Sequence, residues 1–275
     1  MLKFLLIALS AFLLIPNFID KSINETAQFS PKEKFDPKLS EINSIDKLEN
    51  YTDSVATSKN ISVQSINYFV LLESIISDRF YHGFSEYTLK ENWVAALSQK
   101  MIGYGLDNKV QPNDIMKNQM AACSQQAAVM MAIAKRKKVD YRPVGFPHHY
   151  AMEIKEKENW YFFDANMEPS INTTQRLHQS WNAQNDSLKK YYSTSLHTNL
   201  GYQFGNKKTA NFGSVNDNPA PRLKLFHYIT FLLSKLLWCM PLILVFVKKR
   251  NNVKAGITAK PHLINGAELY PSFTA

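Results

Sequence analysis

The sequence predicts an α+β fold in which a helical N-terminal half packs on an antiparallel sheet, with transmembrane segments at both ends. Three observations carry this reading. Apolar residues recur at helical spacing in several stretches before residue 136. Short runs rich in aromatic and branched residues then crowd into residues 141–163. Two largely apolar segments lie near the termini. Helices followed by strands, instead of alternating with them, imply a segregated antiparallel sheet.

Three helices are predicted. Over residues 62–80, Val63, Ile66, Phe69, Val70, Leu72, Ile75 and Ile76 form one apolar face. Residues 92–102 place Trp93, Leu97 and Met101 together. Residues 123–135 carry Ala127, Met130, Met131 and Ala134 at positions i, i+3, i+4 and i+7. Lys135 to Lys138 follow, where cations complement the dipole at a helix C-terminus. Strands are predicted over residues 141–146, 150–154 and 160–163, the last two joined by a tight charged turn at 155–159. Helices are also expected within residues 174–192.

The chain divides into residues 1–20, a signal peptide or N-terminal membrane anchor; 21–60, a polar spacer with some helix near its end; 61–204, the folded domain; 205–221, a linker rich in Asn, Gly, Lys and Pro; 222–250, a C-terminal transmembrane helix with a basic flank; and 251–275, a cytoplasmic tail. Lys3 precedes an apolar run over residues 4–15, and no Ala-x-Ala-like cleavage site stands out, which favours an uncleaved anchor. Residues 225–247 number 23, enough to cross a hydrocarbon core of ~30 Å at ~1.5 Å per residue. Lys235 inside this run is costly unless it snorkels or faces a partner helix, and it motivates a membrane-protein partner. An amphipathic hairpin lying on the bilayer is the competing reading.

Charge placement sets the partner class. Of the 32 Lys and Arg and 23 Asp and Glu in 275 residues, residues 222–275 hold eight basic residues and only Glu268 as an acid, a balance of +7. The remaining 221 residues hold 24 and 22, a balance of +2. The basicity therefore belongs to the flanks of an apolar segment. It reads as a topology signal from the lipid bilayer, not as a nucleic-acid-binding face. Lys248, Lys249 and Arg250 favour a cytoplasmic C-terminus, and Lys3 a cytoplasmic N-terminus. Residues 20–221 then lie on the extracytoplasmic side.

Cys123 is the only cysteine outside the C-terminal apolar run, which holds Cys239. A lone thiol in an exported domain is a candidate nucleophile. It opens a predicted helix, whose N-terminus favours a thiolate. His149 opens a strand 26 residues later, and Asp164 ends the next strand after another 15. An imidazole stabilises the thiolate and delivers a proton to the leaving group. A carboxylate orients the imidazole. Each residue also has a bland reading: Cys123 as core, His149 as a hydrogen-bonded strand residue, Asp164 as a turn residue. No cofactor is expected. A metal held by Cys123, His148 and His149 lacks the ligand spacing of zinc sites.

The runs Ala121-Ala122-Cys123-Ser124-Gln125-Gln126-Ala127, Tyr141-Arg142-Pro143-Val144-Gly145, His149-Tyr150-Ala151-Met152-Glu153-Ile154 and Trp160-Tyr161-Phe162-Phe163-Asp164 resemble the transglutaminase-like core. The resemblance spans roughly residues 60–170. It implies a transglutaminase-like, papain-like fold and cysteine chemistry through a thioester, with Cys123, His149 and Asp164 as the catalytic triad. It selects His149 over His148, because His149 stands four residues before Glu153. Ala121, Ala151 and Ala165-Asn166 depart from the family pattern, which often has Gly, an aromatic residue and Pro-Thr there. An upstream aromatic or amide group can assist the oxyanion in this family, making Trp93 and Gln119 candidates beside the backbone N–H of Cys123. The implied function is that of a hydrolase or acyltransferase of the cell envelope, acting on amide bonds of a protein or peptide substrate. The alternative is a catalytically inactive, membrane-tethered binding or assembly module of the same fold.

Overall fold

The computed structural model describes residues 1–23, 33–169, 171–177, 191–192, 200–205 and 210–247. Helices surround a small antiparallel sheet. In chain order these are α1 (Leu2–Leu14), α2 (Ile45–Ser58), α3 (Ile66–Arg79), α4 (Leu89–Ile102), the single turn α5 (Pro112–Ile115) and α6 (Cys123–Arg136). Strands β1 (Tyr141–Gly145), β2 (Tyr150–Glu156) and β3 (Asn159–Phe163) follow. Then come α7 (Leu200–Phe204), β4 (Asn211–Phe212), α8 (Pro221–Leu236) and α9 (Cys239–Val247). The sheet runs β3-β2-β1-β4, with every pairing antiparallel.

The core forms where α6 meets the sheet. α6 packs on β1 and β2, and its Ala127, Ala128 and Ala134 let its backbone approach closely while Met130, Met131 and Ile133 fill the space. From the sheet come Met152, Ile154 and Phe163, and from α3 come Phe69, Leu72 and Ile76. The opposite face of the sheet carries a second cluster of Val144, Ala151 and Phe162 against Met167, Tyr192, Leu200 and Phe204. The first half of β2 is buried on both faces, with Ala151 to Ile154 all enclosed. Alternation in β2 sends Met152 and Ile154 toward α6, and Ala151 and Glu153 to the other side.

The predicted polar spacer over residues 21–60 is corrected for its second half. Leu39, Ile42, Ile45, Leu48 and Ala56 are buried in the main core. Ser44 caps α2 by accepting from Lys47 N–H, and its apolar face holds Ile45, Leu48, Thr52 and Ala56 at helical spacing. Its polar face binds the basic end of α6: Arg136 pairs with Asp46 and Glu49, and Lys137 with Glu49 and Asp53. The sparse apolar stripe is masked by the charges that make these pairs. Residues 24–32 lie outside the described residues.

The predicted linker over residues 205–221 is also corrected. Asn211 and Phe212 pair with Gly145 and Val144 of β1. Asn216 accepts from Tyr141 N–H through its side chain and donates its own N–H to Tyr141 O. A Cβ on Gly213 would come within 2.4 Å of the Pro143 ring, so glycine lets the chain hug the sheet edge. Residues 206–209 lie outside the described residues, as do 178–190 of the helices expected within 174–192. Thr174–Arg176 form one 3-10 turn.

The C-terminal apolar run is not one straight helix. α8 and α9 meet at a 53° bend. Pro241 accounts for it, since it has no N–H to bond the carbonyl of Leu237 and its ring crowds that carbonyl. The Trp238 indole N–H donates to the carbonyl of Lys235, 2.8 Å away, supplying a donor at the break. Among the described residues no single helix is long and apolar enough to cross a membrane, and only α8 and α9 together pass by length and composition. The basic flank at 248–250 and the tail at 251–275 lie outside the described residues.

α8 is clasped to α4 by polar groups. Asn92 donates to Thr230 Oγ1 at 2.9 Å and accepts from Ser234 Oγ at 2.9 Å. Ser234 Oγ accepts from Val94 N–H. Asn92 has non-helical φ/ψ and splits α4 into two segments, the second capped by Asn92 Oδ1 on Ala95 N–H. This is why the helix read from sequence begins at residue 92. Lys235 reaches Asn17 Oδ1 at 3.0 Å and the carbonyl of Lys90. Its ammonium is thus satisfied by protein groups.

Leu48 is fully buried, so Leu48→Ala should cost about 2–5 kcal/mol and lower the midpoint of denaturant unfolding with little change in slope. An unchanged midpoint would contradict its place in the core.

Candidate active site

Cys123 is the first residue of α6, after Ala122 in extended conformation. The start of this helix is held by Gln125. Its Oε1 accepts from Ser85 N–H at 2.8 Å and Ala122 N–H at 3.1 Å. Its Nε2 donates to the carbonyls of Ser85 and Lys109, both at 2.8 Å. All four hydrogen-bonding positions of this buried amide are used, pinning the helix start to the loop that crosses it. The N–H groups of Cys123 and Ser124 head the helix, with no intrahelical acceptor available to them. Cys123 is part exposed and not in a disulfide.

His149 sits in the turn before β2, closed by Phe146 N–H on the His149 carbonyl at 2.8 Å. Asp164 directly follows β3. Met152 pairs with Phe163, so the register continued by one residue sets Asp164 opposite Ala151. Ala151 is two residues from His149 on the same face, a diagonal pair within reach of side chains. His149 Nε2 lies 2.8 Å from Asp164 Oδ2, both side chains almost fully buried. That bond commits Nε2, and the Cys123 thiol lies near enough to the ring to contribute to raising the imidazole's pKa. The three predicted residues are thus brought together in the order thiol, imidazole, carboxylate.

The electrostatics favour a charged imidazole. Burial works against the imidazolium, but the charge and hydrogen bond of Asp164, with those of Cys123, outweigh it and push His149 up to about 10. Asp164 is itself held from several sides. Its Oδ2 also accepts from Tyr192 Oη at 3.0 Å and its Oδ1 from Met167 N–H at 3.3 Å. Burial, then the charge of Asp164, raises Tyr192 well above the usual phenol range, so it remains a proton donor. The backbone N–H of Asp164 donates to Glu73 Oε1 at 2.7 Å. Glu73 forms a buried ion pair with Arg176, 2.7 Å from Nη2 to Oε2. Arg176 Nη1 also donates to the carbonyl of Phe162. Burial pushes Glu73 up to about 7 against the opposing pull of Arg176.

Glu73, Arg176, Tyr192 and Gln125 were not singled out as site residues from sequence. Glu73 carried a signal: it stands four residues after Phe69 and three before Ile76, an acid on an apolar helix face. Such an acid needs a buried partner. Tyr192 carried none, since nothing local ties it to a carboxylate 28 residues away.

The other candidates fall elsewhere. His148 is exposed and stacks on Tyr202 with centroids 3.8 Å apart. Trp93 gives its indole N–H to Ser234 O at 3.0 Å, which spends the donor on the α4–α8 clasp and corrects its assignment to the oxyanion. Gln119 is exposed, and its carbonyl accepts from Tyr81 N–H in the strand-like crossing that leads into α6. Among the described residues no group of three or more His, Cys, Asp or Glu is placed to hold a metal ion. A cavity of about 780 Å³, bounded by Asn17, Tyr87, Asn92, His227 and Phe231, lies by the α4–α8 clasp and not at the thiol.

Comparison with known proteins finds no match to a family model, to a curated protein or to a solved structure.

His149 lies above its ordinary 6.5 in the folded chain. Its contribution to stability is therefore complete below pH 6.5 and is lost as pH rises through about 10. The difference in unfolding midpoint between the parent chain and His149→Gln should shrink as pH is raised from 7 to 10. A difference that grows over this range would contradict the ion-pair arrangement.

Proposed function

We propose that this chain is a transglutaminase-like thiol enzyme that cleaves or transfers amide bonds of an extracytoplasmic protein or peptide. The observation that carries the reading is the buried His149–Asp164 hydrogen bond of 2.8 Å, with Cys123, at the head of a helix, near enough to the imidazole to raise its pKa.

The chemistry follows from the positions. An imidazolium at His149 stabilises the thiolate of Cys123. The sulfur attacks the amide carbonyl carbon, a C–S bond forms, and the oxyanion develops beside the N–H groups of Cys123 and Ser124. The C–N bond breaks as His149 gives its proton to the departing amine, leaving a thioester. Water, or a second amine, then attacks while His149 takes its proton, and the C–S bond breaks to return the thiolate. Asp164 fixes the tautomer and orientation of the imidazole throughout. Tyr192 and the Glu73–Arg176 pair hold Asp164 in turn.

The reading includes a membrane mount. The apolar helix over Leu2–Phe18 exposes Phe4, Leu5, Ile7, Phe12 and Phe18. α8 and α9 expose Leu225, Ile229, Leu236, Ile243, Leu244 and Phe246. The two segments run together: Asn17 bonds Ser234 and Lys235, and Met1 to Phe4 share a cavity wall with Val245. Entry into the bilayer from one side, with both chain ends on the other, suits this arrangement and the basic residues after residue 247. Lys235, bonded to Asn17 and Lys90, has protein partners without requiring another protein.

Iodoacetamide labelling followed by mass spectrometry tests the enzyme reading. Cys123 should react selectively near neutral pH. Because a free cysteine is only a few per cent thiolate at pH 7, His149→Ala should slow that reaction by more than about tenfold. An unchanged rate would favour the inactive binding module.

A further inference from the structure

A second cavity, of about 260 Å³, lies beside the thiol and is separate from the triad. Its walls come from four parts of the chain. α6 contributes Ser124, Gln125 and Ala128, and the strand after His149 contributes Tyr150. The segment between α3 and α6 contributes Phe84, Tyr104 and Val110, and the first turn of α8 contributes Leu223. Ser124 directly follows the nucleophile and Tyr150 directly follows the histidine, so two wall residues adjoin reacting groups along the chain, although none of the triad lines the cavity. Burial, Asp217 and then Cys123 push the Tyr150 phenol up to about 12, the last an effect of its nearness to the thiol.

The chemistry of the walls favours an apolar occupant. Lys109 lines the cavity, but its side chain is almost fully buried and its ammonium is paired with Glu91 at 2.8 Å. Gln125 has all four hydrogen-bonding positions filled. What faces the space is chiefly aromatic and aliphatic. Its size is equally selective. An apolar cavity of about 150 Å³ already admits a benzene ring, and pockets for drug-sized ligands begin near 300 Å³. A cavity of 260 Å³ fits one large side chain.

One stretch of the wall has an unusual backbone. Gly103, Tyr104 and Gly105 all have positive φ, at 84°, 65° and 67°. The tyrosine ring is 92% exposed. A bulky residue in the left-handed region is strained, and such strain recurs where a side chain is held ready for a ligand. The loop is fastened from behind: Leu106 N–H donates to Gln99 Oε1, and the Leu106 carbonyl accepts from His227 Nε2. The backbone is thus anchored two residues after Tyr104, which lines the cavity.

We infer that this cavity is the specificity pocket of the thiol site and receives a large apolar side chain, aromatic or branched aliphatic, from the residue that supplies the attacked carbonyl. The inference rests on the thiol-enzyme reading. The helix-head N–H groups of Cys123 and Ser124 receive the oxyanion, and Ser124 is also a pocket wall, so the side chain next to that carbonyl is the one within reach. Leu223 makes the pocket sensitive to the mount, because the helix that clasps α4 also closes one wall.

The test uses the full chain in detergent and N-acetyl chloromethyl ketones of Phe, Leu, Gly and Asp, with a long-chain acyl chloromethyl ketone as a fifth probe. The thiolate displaces chloride, and the label on Cys123 is followed by mass spectrometry. The Phe and Leu probes should label at least about tenfold faster than the Gly and Asp probes, the effect of burying one large apolar side chain. Ala128→Leu fills the pocket from α6 and Leu223→Trp fills it from α8. Each should lower the Phe-to-Gly ratio by about tenfold. Equal rates for the four amino-acid probes, or a ratio that neither variant moves, would overturn the pocket assignment. Faster labelling by the long-chain probe than by the Phe probe would overturn it in favour of a lipid acyl group. Failure of the underlying enzyme reading looks different: Cys123 would then react with iodoacetamide no faster than in His149→Ala, whatever the probe preference.

Discussion

The hydrogen bond from His149 to Asp164 sets the conditions for everything around it. Two ionisable side chains with almost no solvent exposure are tolerable only as a pair with their remaining positions satisfied. The fold meets that demand from several directions. Tyr192 and Met167 N–H complete the carboxylate, and Glu73 takes the backbone N–H of Asp164. Glu73 then needs a cation of its own, which Arg176 supplies while also bonding the carbonyl of Phe162. One buried pair therefore requires a second, and together they tie β3, α3 and the turn at residues 174–176 to the carboxylate. Orientation of the imidazole is a property of this whole network.

The same network decides which side of the imidazole stays open. With Nε2 committed to Asp164 and the ring flanked by Phe146 and Phe204, Nδ1 is the ring nitrogen left over for chemistry. The head of α6 is held in register by a glutamine whose amide has no capacity left. Removing either partner of the His–Asp pair leaves a buried charge, and loosening Gln125 lets the thiol drift. Positioning is shared between the sheet, which sets the histidine and aspartate, and the helix anchor, which sets the cysteine.

The membrane mount and the site are mechanically joined in the reading proposed above. α8 uses Thr230, Ser234 and His227 to face the domain and Leu225, Ile229, Leu233 and Leu236 to face outward. A helix with a polar inner face and an apolar outer face inverts the usual arrangement of a globular surface, which suits contact with lipid on the outside. Because Leu223 of the same helix borders the cavity beside Cys123, the orientation of the domain on its mount and the shape of that cavity are set by one element.

The sequence by itself determined the periodicities and the local chemistry. The helical spacing of Ala127, Met130, Met131 and Ala134 and the three short aromatic runs specify α6 and β1 to β3 closely, because each element buries a face whose pattern is written in adjacent residues. The order cysteine at a helix start, histidine before a strand and aspartate after the next was legible for the same reason: a tight turn between consecutive strands fixes diagonal neighbours. Tertiary structure alone decided the rest. Residues 37–58 looked like a spacer because their charges pair with Arg136 and Lys137, which no local pattern reveals. The polar face of α8 was invisible inside an apolar run until Asn92 and Trp93 gave it partners. Asp164 acquired Tyr192, Glu73 and Arg176 from segments distant in sequence, since the cost of burying its charge can be met by any donor the packed chain brings within hydrogen-bonding distance.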